Sequence, residues 1–349
     1  MGVRKKLYKA AFQVLQRSGL GQAMAPITQG CGAIFMLHRV KAASCDPFQP
    51  NSHLEIEPEF LRKAVAHIRR NGYEIISIDE AVDLLKSGYG RKRYAVLTFD
   101  DGYRDNLDVA YPLLRELNAP FIVYVASGLI DRTAELWWIA LERIIAANDE
   151  IHLTGDCGGA GISCRTPEEK NLCYSKLCEF LTREVSEVEQ RAIIRRLADT
   201  YGLDLTGLAD SLMMSWDEVR QLAGDPLVTI GAHTHNHYAV ARLEPAEALE
   251  DIDRGVVRLE QELGRRPKHF AYPYGNALAA GGRDAALLRE YGFSSAVTTF
   301  PGVLKSVNAR DPMMLPRVSL NGHFQDGYVI DQYLTGAPFA LYRSLRWLR

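Results

Sequence analysis

The chain has 349 residues, 47% hydrophobic and 24% charged, a balance typical of a soluble globular protein. That length allows one large α/β domain with insertions or two smaller domains. A net charge of −2 excludes the strong basic excess of a nucleic-acid-binding protein. No apolar run approaches the roughly 20 residues that span a bilayer.

Residues 1–29 form a basic amphipathic segment, in which Arg4, Lys5, Lys6, Lys9 and Arg17 stand among the first twenty residues with no acid. Leu7, Ala10, Ala11, Val14 and Leu15 fall towards one side of a helix, and Lys6, Lys9 and Gln13 towards another. This reads first as a helix docked on the domain and second as one lying on an anionic membrane. Lys9, Gln13, Gln16 and Arg17 interrupt the early apolar positions, so no signal peptide is expected. The expected location is the cytoplasm, with membrane contact through the basic termini.

Strand candidates then alternate with helical patterns: 32–37, 73–78, 94–99 and 119–125, and after a gap 227–232, 268–273, 294–299 and 314–320. The pattern "PEFLRKAVAHIRRNG" is helical, and "PAEALEDIDRGVVRLEQELG" is a helix ending at Gly264. Seven or eight such strands predict an α/β fold, a (β/α)7-8 barrel made of residues 30–133 and 216–325. Residues 134–215 break the rhythm and read as a mostly helical insertion that either roofs the site as a lid or only packs. Within it, Trp137 and Trp138 read equally as core or as sugar-stacking residues. Residues 326–349 read as a basic tail with Arg343, Arg346 and Arg349. Of the six cysteines, Cys157, Cys164, Cys173 and Cys178 cluster, but no CxxC pair occurs; reduced thiols are expected rather than a disulfide or zinc cluster.

In an α/β barrel the reactive residues sit where strands end. Four polar groups occupy such positions: His38–Arg39, Asp100–Asp101, the run from His233 to His237, and Tyr274–Asn276. His233 and His237 are four apart, so a helical turn after the strand would aim both imidazoles at one ion. One carboxylate from the Asp100–Asp101 pair completes a two-His, one-Asp set that leaves positions open for water and substrate. Gly102 permits the turn that presents two adjacent acids. His235 does not share that face and is expected to point away.

"TFDDG" (98–102), "HTHNH" (233–237) and "YPYG" (272–275), in this order, resemble the first three motifs of the polysaccharide deacetylases, carbohydrate esterase family 4, with the NodB-type homology domain. The likeness covers about residues 30–130 and 216–320. It implies a distorted (β/α) barrel and a metal-dependent deacetylase that hydrolyses N- or O-acetyl groups of a sugar, glycan or lipid-linked glycan precursor. Carried over, Asp101, His233 and His237 are metal ligands, Asp100 is the general base, and the Tyr274 N–H is the oxyanion donor. Zinc suits the ligand set, and cobalt, nickel or iron fit the same geometry. The implied partner is an acetylated carbohydrate; the sequence carries no reading of oligomeric state.

Two departures stand out. The family's third motif carries a base-orienting arginine two residues before the proline, where this chain has Ala271; Arg317 is the expected substitute. The late L-x-H motif of the general acid is not matched by "LNGH", so His38 is the candidate acid and His323 is expected in a surface loop. Asp105 and Asn106 are expected to cap the helix that follows. Asp311 either pairs with Arg317 or forms a turn. Hydrolysis of a non-sugar linear or cyclic amide is the alternative activity, and a non-catalytic glycan-binding role the alternative class.

Overall fold

The computed structural model describes residues 2–88, 92–153 and 161–347. Cys157 and Arg349 lie outside the described residues, as do the side chains of Arg4, Lys5, Lys6 and Arg346. The core is a closed ring of seven parallel strands. These are β1 (Gly32–Leu37), β2 (Arg93–Asp101), β3 (Phe121–Val125), β4 (Val228–Ala232), β5 (His269–Ala271), β6 (Ser295–Pro301) and β7 (Leu315–Ser319). Each pairs with the next in chain order, and β1 bonds to both β2 and β7, which shuts the ring. Their near-continuous Val, Ile, Leu and Phe content is that of strands covered on both faces.

The eighth candidate strand is shorter than expected and lies outside the ring. Only Tyr73–Ile75 is extended, paired with β2 alone. Ser77 stops it by capping the helix Ile78–Ser87, its side chain accepting the Glu80 N–H. That helix buries Ile78, Ala81, Val82 and Leu85 in one cluster with Ile34, Val96, Ile122, Val297 and Leu315 of the barrel strands.

The insertion is mostly helical, with helices Trp137–Ala147, Pro167–Arg183, Glu187–Tyr201 and Leu205–Leu212 and one short hairpin of 150–151 with 162–163. Its last residues run back along the end of β2, where the Met214 N–H donates to Gly102 O and the Arg104 N–H to Leu212 O. Cys31, Cys45, Cys164, Cys173 and Cys178 are free thiols, so no disulfide forms among the described residues.

Residues 326–349, expected as a tail, instead form helices Gly327–Thr335 and Ala337–Trp347. The first is part of the core, burying Val329, Ile330 and Leu334. It packs on helix Pro58–Arg70 and on both N-terminal helices, Gly2–Ser18 and Leu20–Thr28. The N-terminal segment is therefore docked on the domain, through Phe12 against Phe324 and Tyr333.

Candidate active site

β2 runs two residues further than its apolar core, pairing Asp100 with Tyr124 and Asp101 with Val125 of β3. A regular strand would send these neighbours to opposite faces. The left-handed backbone of Asp101 (φ 77°) and Gly102 (φ 92°) breaks that alternation, so both carboxylates are buried at the same end of the barrel. Aspartate tolerates this conformation better than most residues.

Asp100 sits in the fork of Arg317, a buried residue of β7. Nη1 donates to Oδ1 at 2.8 Å and Nη2 to Oδ2 at 2.7 Å. The guanidinium also donates to Thr298 O (2.8 Å) and Thr98 Oγ1 (3.0 Å), so four of its five N–H groups are engaged. Burial pushes the Asp100 carboxyl up, but Arg317, with His233 and His38, outweighs it and holds the group below its ordinary value. Arg317 thus stands where the arginine missing at position 271 was expected to act.

The two histidines converge without a helix. Residues 233–237 form an irregular bend with left-handed Thr234 (φ 58°) and His237 (φ 56°). A β-branched residue adopts that conformation at a cost of about 1 kcal/mol or more, so neighbours must hold it. The helix Pro245–Leu263 does so. Asp251 accepts the His235 N–H through its carbonyl and the Asn236 N–H through its carboxylate. Gly255 lets the helix approach so closely that a Cβ there would lie 2.7 Å from the Thr234 carbonyl carbon. From the insertion, buried Arg191 donates to Asn236 O and His237 O, both at 3.2 Å.

The geometry fits a cation. Ligand atoms of Asp101, His233 and His237 lie within 4.8 Å of one another, the one such group of three among the described residues. His233 Nδ1 is 2.7 Å from Ala271 O, and a carbonyl only accepts, so Nδ1 carries the proton. That leaves a lone pair on Nε2, facing Asp101 Oδ1 at 3.3 Å. His237 Nε2 stands 3.2 Å from the same oxygen. Burial pulls His237 down to about 4, which keeps it neutral at neutral pH. A carboxylate facing the lone pair of a neutral imidazole is repulsive unless a cation lies between them.

Around this centre, His38 follows β1 with Nε2 3.8 Å from Asp100 Oδ2. Asn106 holds its backbone by donating to His38 O, and Asp105 binds Arg39 Nε (2.9 Å) and the Val40 N–H. These two residues therefore tie down the exit of β1 rather than capping a helix; Asp105 makes no side-chain cap bond. Tyr274 is left-handed (φ 60°), and among the described residues no acceptor meets its N–H. Its hydroxyl accepts from Trp137 Nε1 at 2.7 Å, while the Trp138 ring lies 4.9 Å from that of His237. Both tryptophans are buried, so they wall the site from behind and offer no open face to a sugar.

His235 points away, its Nδ1 2.8 Å from Ser127 Oγ. His323 is half-buried rather than on the surface, its ring 6.1 Å from that of His53. Asp311 accepts the Met313 N–H and pairs with Arg289 at 2.8 Å, not with Arg317. Sequence reasoning missed Arg191 and Asp251. The one available signal was Gly255, an isolated glycine inside a strong helical pattern, which marks close packing.

The sequence matches a family described as polysaccharide deacetylase over residues 87–156 and 179–294. The match includes Asp100, Asp101, His233, His237 and Tyr274. It reaches further into the insertion than the motifs alone implied, and it leaves out β1 with His38 and β7 with Arg317. Among curated proteins, the chain is similar to the poly-beta-1,6-N-acetyl-D-glucosamine N-deacetylase of Escherichia coli (strain K12). The two are 22% identical over 293 residues, covering 76% of this chain and 33% of that protein, so the chain spans about a third of the relative's length. Among solved structures, the Streptococcus pyogenes deacetylase PplD in complex with acetate superposes with a TM-score of 0.55 at 16% identity, covering 86% of this chain and 97% of that one. IcaB from Ammonifex degensii gives a TM-score of 0.55 at 18% identity, covering 88% and 97%. Both likenesses carry the barrel fold.

Three outcomes follow from this geometry. Arg317→Ala leaves Asp100 buried without its partner and should cost about 3–5 kcal/mol in urea unfolding at neutral pH. Gly255→Ala gains at most about 1 kcal/mol of helix propensity but loses about 1–3 kcal/mol to the clash with Thr234. Net destabilisation is therefore expected, with weakened metal binding by titration calorimetry. Finally, His53, His235 and His237 are each lowered to about 4, chiefly by burial, and the unfolded chain rebinds those protons near pH 6.5. Stability measured in chelator should be full above about pH 6.5 and fall steadily towards pH 4. A flat profile would contradict the burial of these imidazoles.

Proposed function

The chain belongs to the polysaccharide deacetylase family, and from that premise we propose that it hydrolyses acetyl groups, N-acetyl foremost, on a sugar, glycan or lipid-linked glycan precursor. One divalent cation, zinc by its ligand set, would be held by Asp101, His233 and His237. The observation that carries this reading is the convergence of those three residues beside a second carboxylate, Asp100, locked by Arg317.

When bound, the cation supplies Lewis acidity towards the acetyl carbonyl and lowers the pKa of the attacking water. The chain's own residues do the rest. Asp100 is ionised and held in one orientation by the Arg317 fork, so it accepts the proton of that water. Arg317 makes Asp100 a weaker base while keeping it ionised and fixed in orientation. The Tyr274 N–H donates to the developing oxyanion, and the Trp137 bond to the Tyr274 hydroxyl keeps that turn in place. His38 gives a proton to the departing amine. Arg317 at Asp100 and His38 beside it favour this reading over a non-catalytic glycan-binding role.

The test combines metal analysis of the purified protein with acetate release from N-acetylglucosamine oligomers, before and after chelation and metal add-back. Activity should vanish on chelation and return with the ion. Asp100→Asn should lower turnover by about 10²–10⁴-fold with metal content unchanged. Full activity without metal would sink the mechanism. Acetate released from a panel of small amides, but from none of the oligomers, would replace the sugar with another amide.

A further inference from the structure

We propose that the face built from both ends of the chain, helices Gly2–Ser18, Leu20–Thr28 and Ala337–Trp347, docks on an anionic lipid surface. Along the first helix, among side chains from Leu7 onward, only Phe12 and Leu15 are buried. Leu7 (69% exposed), Ala11 and Val14 (62% exposed) form a second apolar stripe at helical spacing and face solvent. Leu20 and Ile27 of the second helix are exposed too, Ile27 at 85%, as are Leu341 and Tyr342 of the last helix. The second helix touches both of the others, so residues from opposite ends of the sequence belong to one surface.

The charge of the two terminal segments selects the partner. Residues 1–29 and 337–349 hold Arg4, Lys5, Lys6, Lys9, Arg17, Arg343, Arg346 and Arg349 with no acid, in a chain whose net charge is −2. Among the described residues Lys9 pairs with Asp326 across an exposed 3.3 Å contact, which salt and solvent screen. Exposed aliphatic residues flanked by lysine and arginine are the composition of a helix lying in a membrane interface. Protein interfaces, by contrast, are depleted in lysine. No helix among the described residues is long and apolar enough to cross a membrane, so the contact is peripheral.

The first helix borders the catalytic end of the barrel through its other side. Lys9 and Phe12 contact Asp326 and Phe324, in the segment that follows β7, and the Phe324 ring lies 6.4 Å from that of His323. The proposal does not rest on the deacetylase reading, and its test does not use acetate release.

The experiment is co-sedimentation of the full chain with phosphatidylcholine vesicles, with and without about one-third phosphatidylglycerol. Binding is expected only with the anionic lipid, and it should weaken as salt is raised. A Leu7→Asp/Val14→Asp variant should lose about tenfold or more of that binding, as should Lys9→Glu/Arg17→Glu, with thermal midpoints unchanged. Equal binding to neutral vesicles, or no binding to either, overturns the proposal. So does a dimer on size exclusion that the Leu7→Asp/Val14→Asp change dissociates, since the face is then an interface between copies of the chain.

Discussion

The ion pair between Arg317 and Asp100 is the interaction on which the rest of the site depends. It crosses the barrel from β7 to β2 and is fully buried. Two charges removed from water are stable only if nearly every lone pair and proton finds a partner. The guanidinium meets that condition by reaching Thr98 and Thr298 as well as both oxygens of Asp100. The same fork that makes the burial tolerable also fixes the orientation of the Asp100 carboxylate, so stability and the geometry of the candidate site rest on one set of hydrogen bonds.

Above that pair, the ligand loops carry backbone strain. Asp101, Thr234, His237 and Tyr274 are all left-handed, and all stand at this end of the barrel. Each conformation costs energy that only tight surroundings can offset. The helix carrying Asp251 and Gly255 supplies one side of that clamp, and the insertion supplies the other through Arg191, Trp137 and Trp138. The insertion therefore acts as a wall that fixes the ligands. Its tryptophans spend their polar N–H groups on Tyr274 and Tyr103, which accounts for their complete burial.

Most of the ring could be read from the chain, because strands covered on both faces are short apolar runs bounded by turn residues. The eighth candidate failed at Ser77, where a capping hydroxyl three residues before Glu80 outweighed the apolar run. The basic tail failed because Val329, Ile330 and Leu334 give helix Gly327–Thr335 a buried face that its charged continuation obscured. Asp105 and Asn106 look like helix caps in sequence, yet their nearest partners in space are Arg39, Val40 and His38.

By itself the sequence determined the barrel class and marked Asp100, Asp101, His233 and His237 as the candidate group. Asp100 and Asp101 are adjacent, and His233 and His237 lie four apart, so their grouping is written locally. Only the tertiary structure decided how they converge and what holds them. The histidines meet through left-handed bends rather than a helix, because Gly255 and Asp251 grip the loop from another element. Asp100 meets a guanidinium 217 residues away, and no local pattern encodes a contact of that separation. It forms because ring closure sets β7 two strands from β2 and points both side chains into one dry interior.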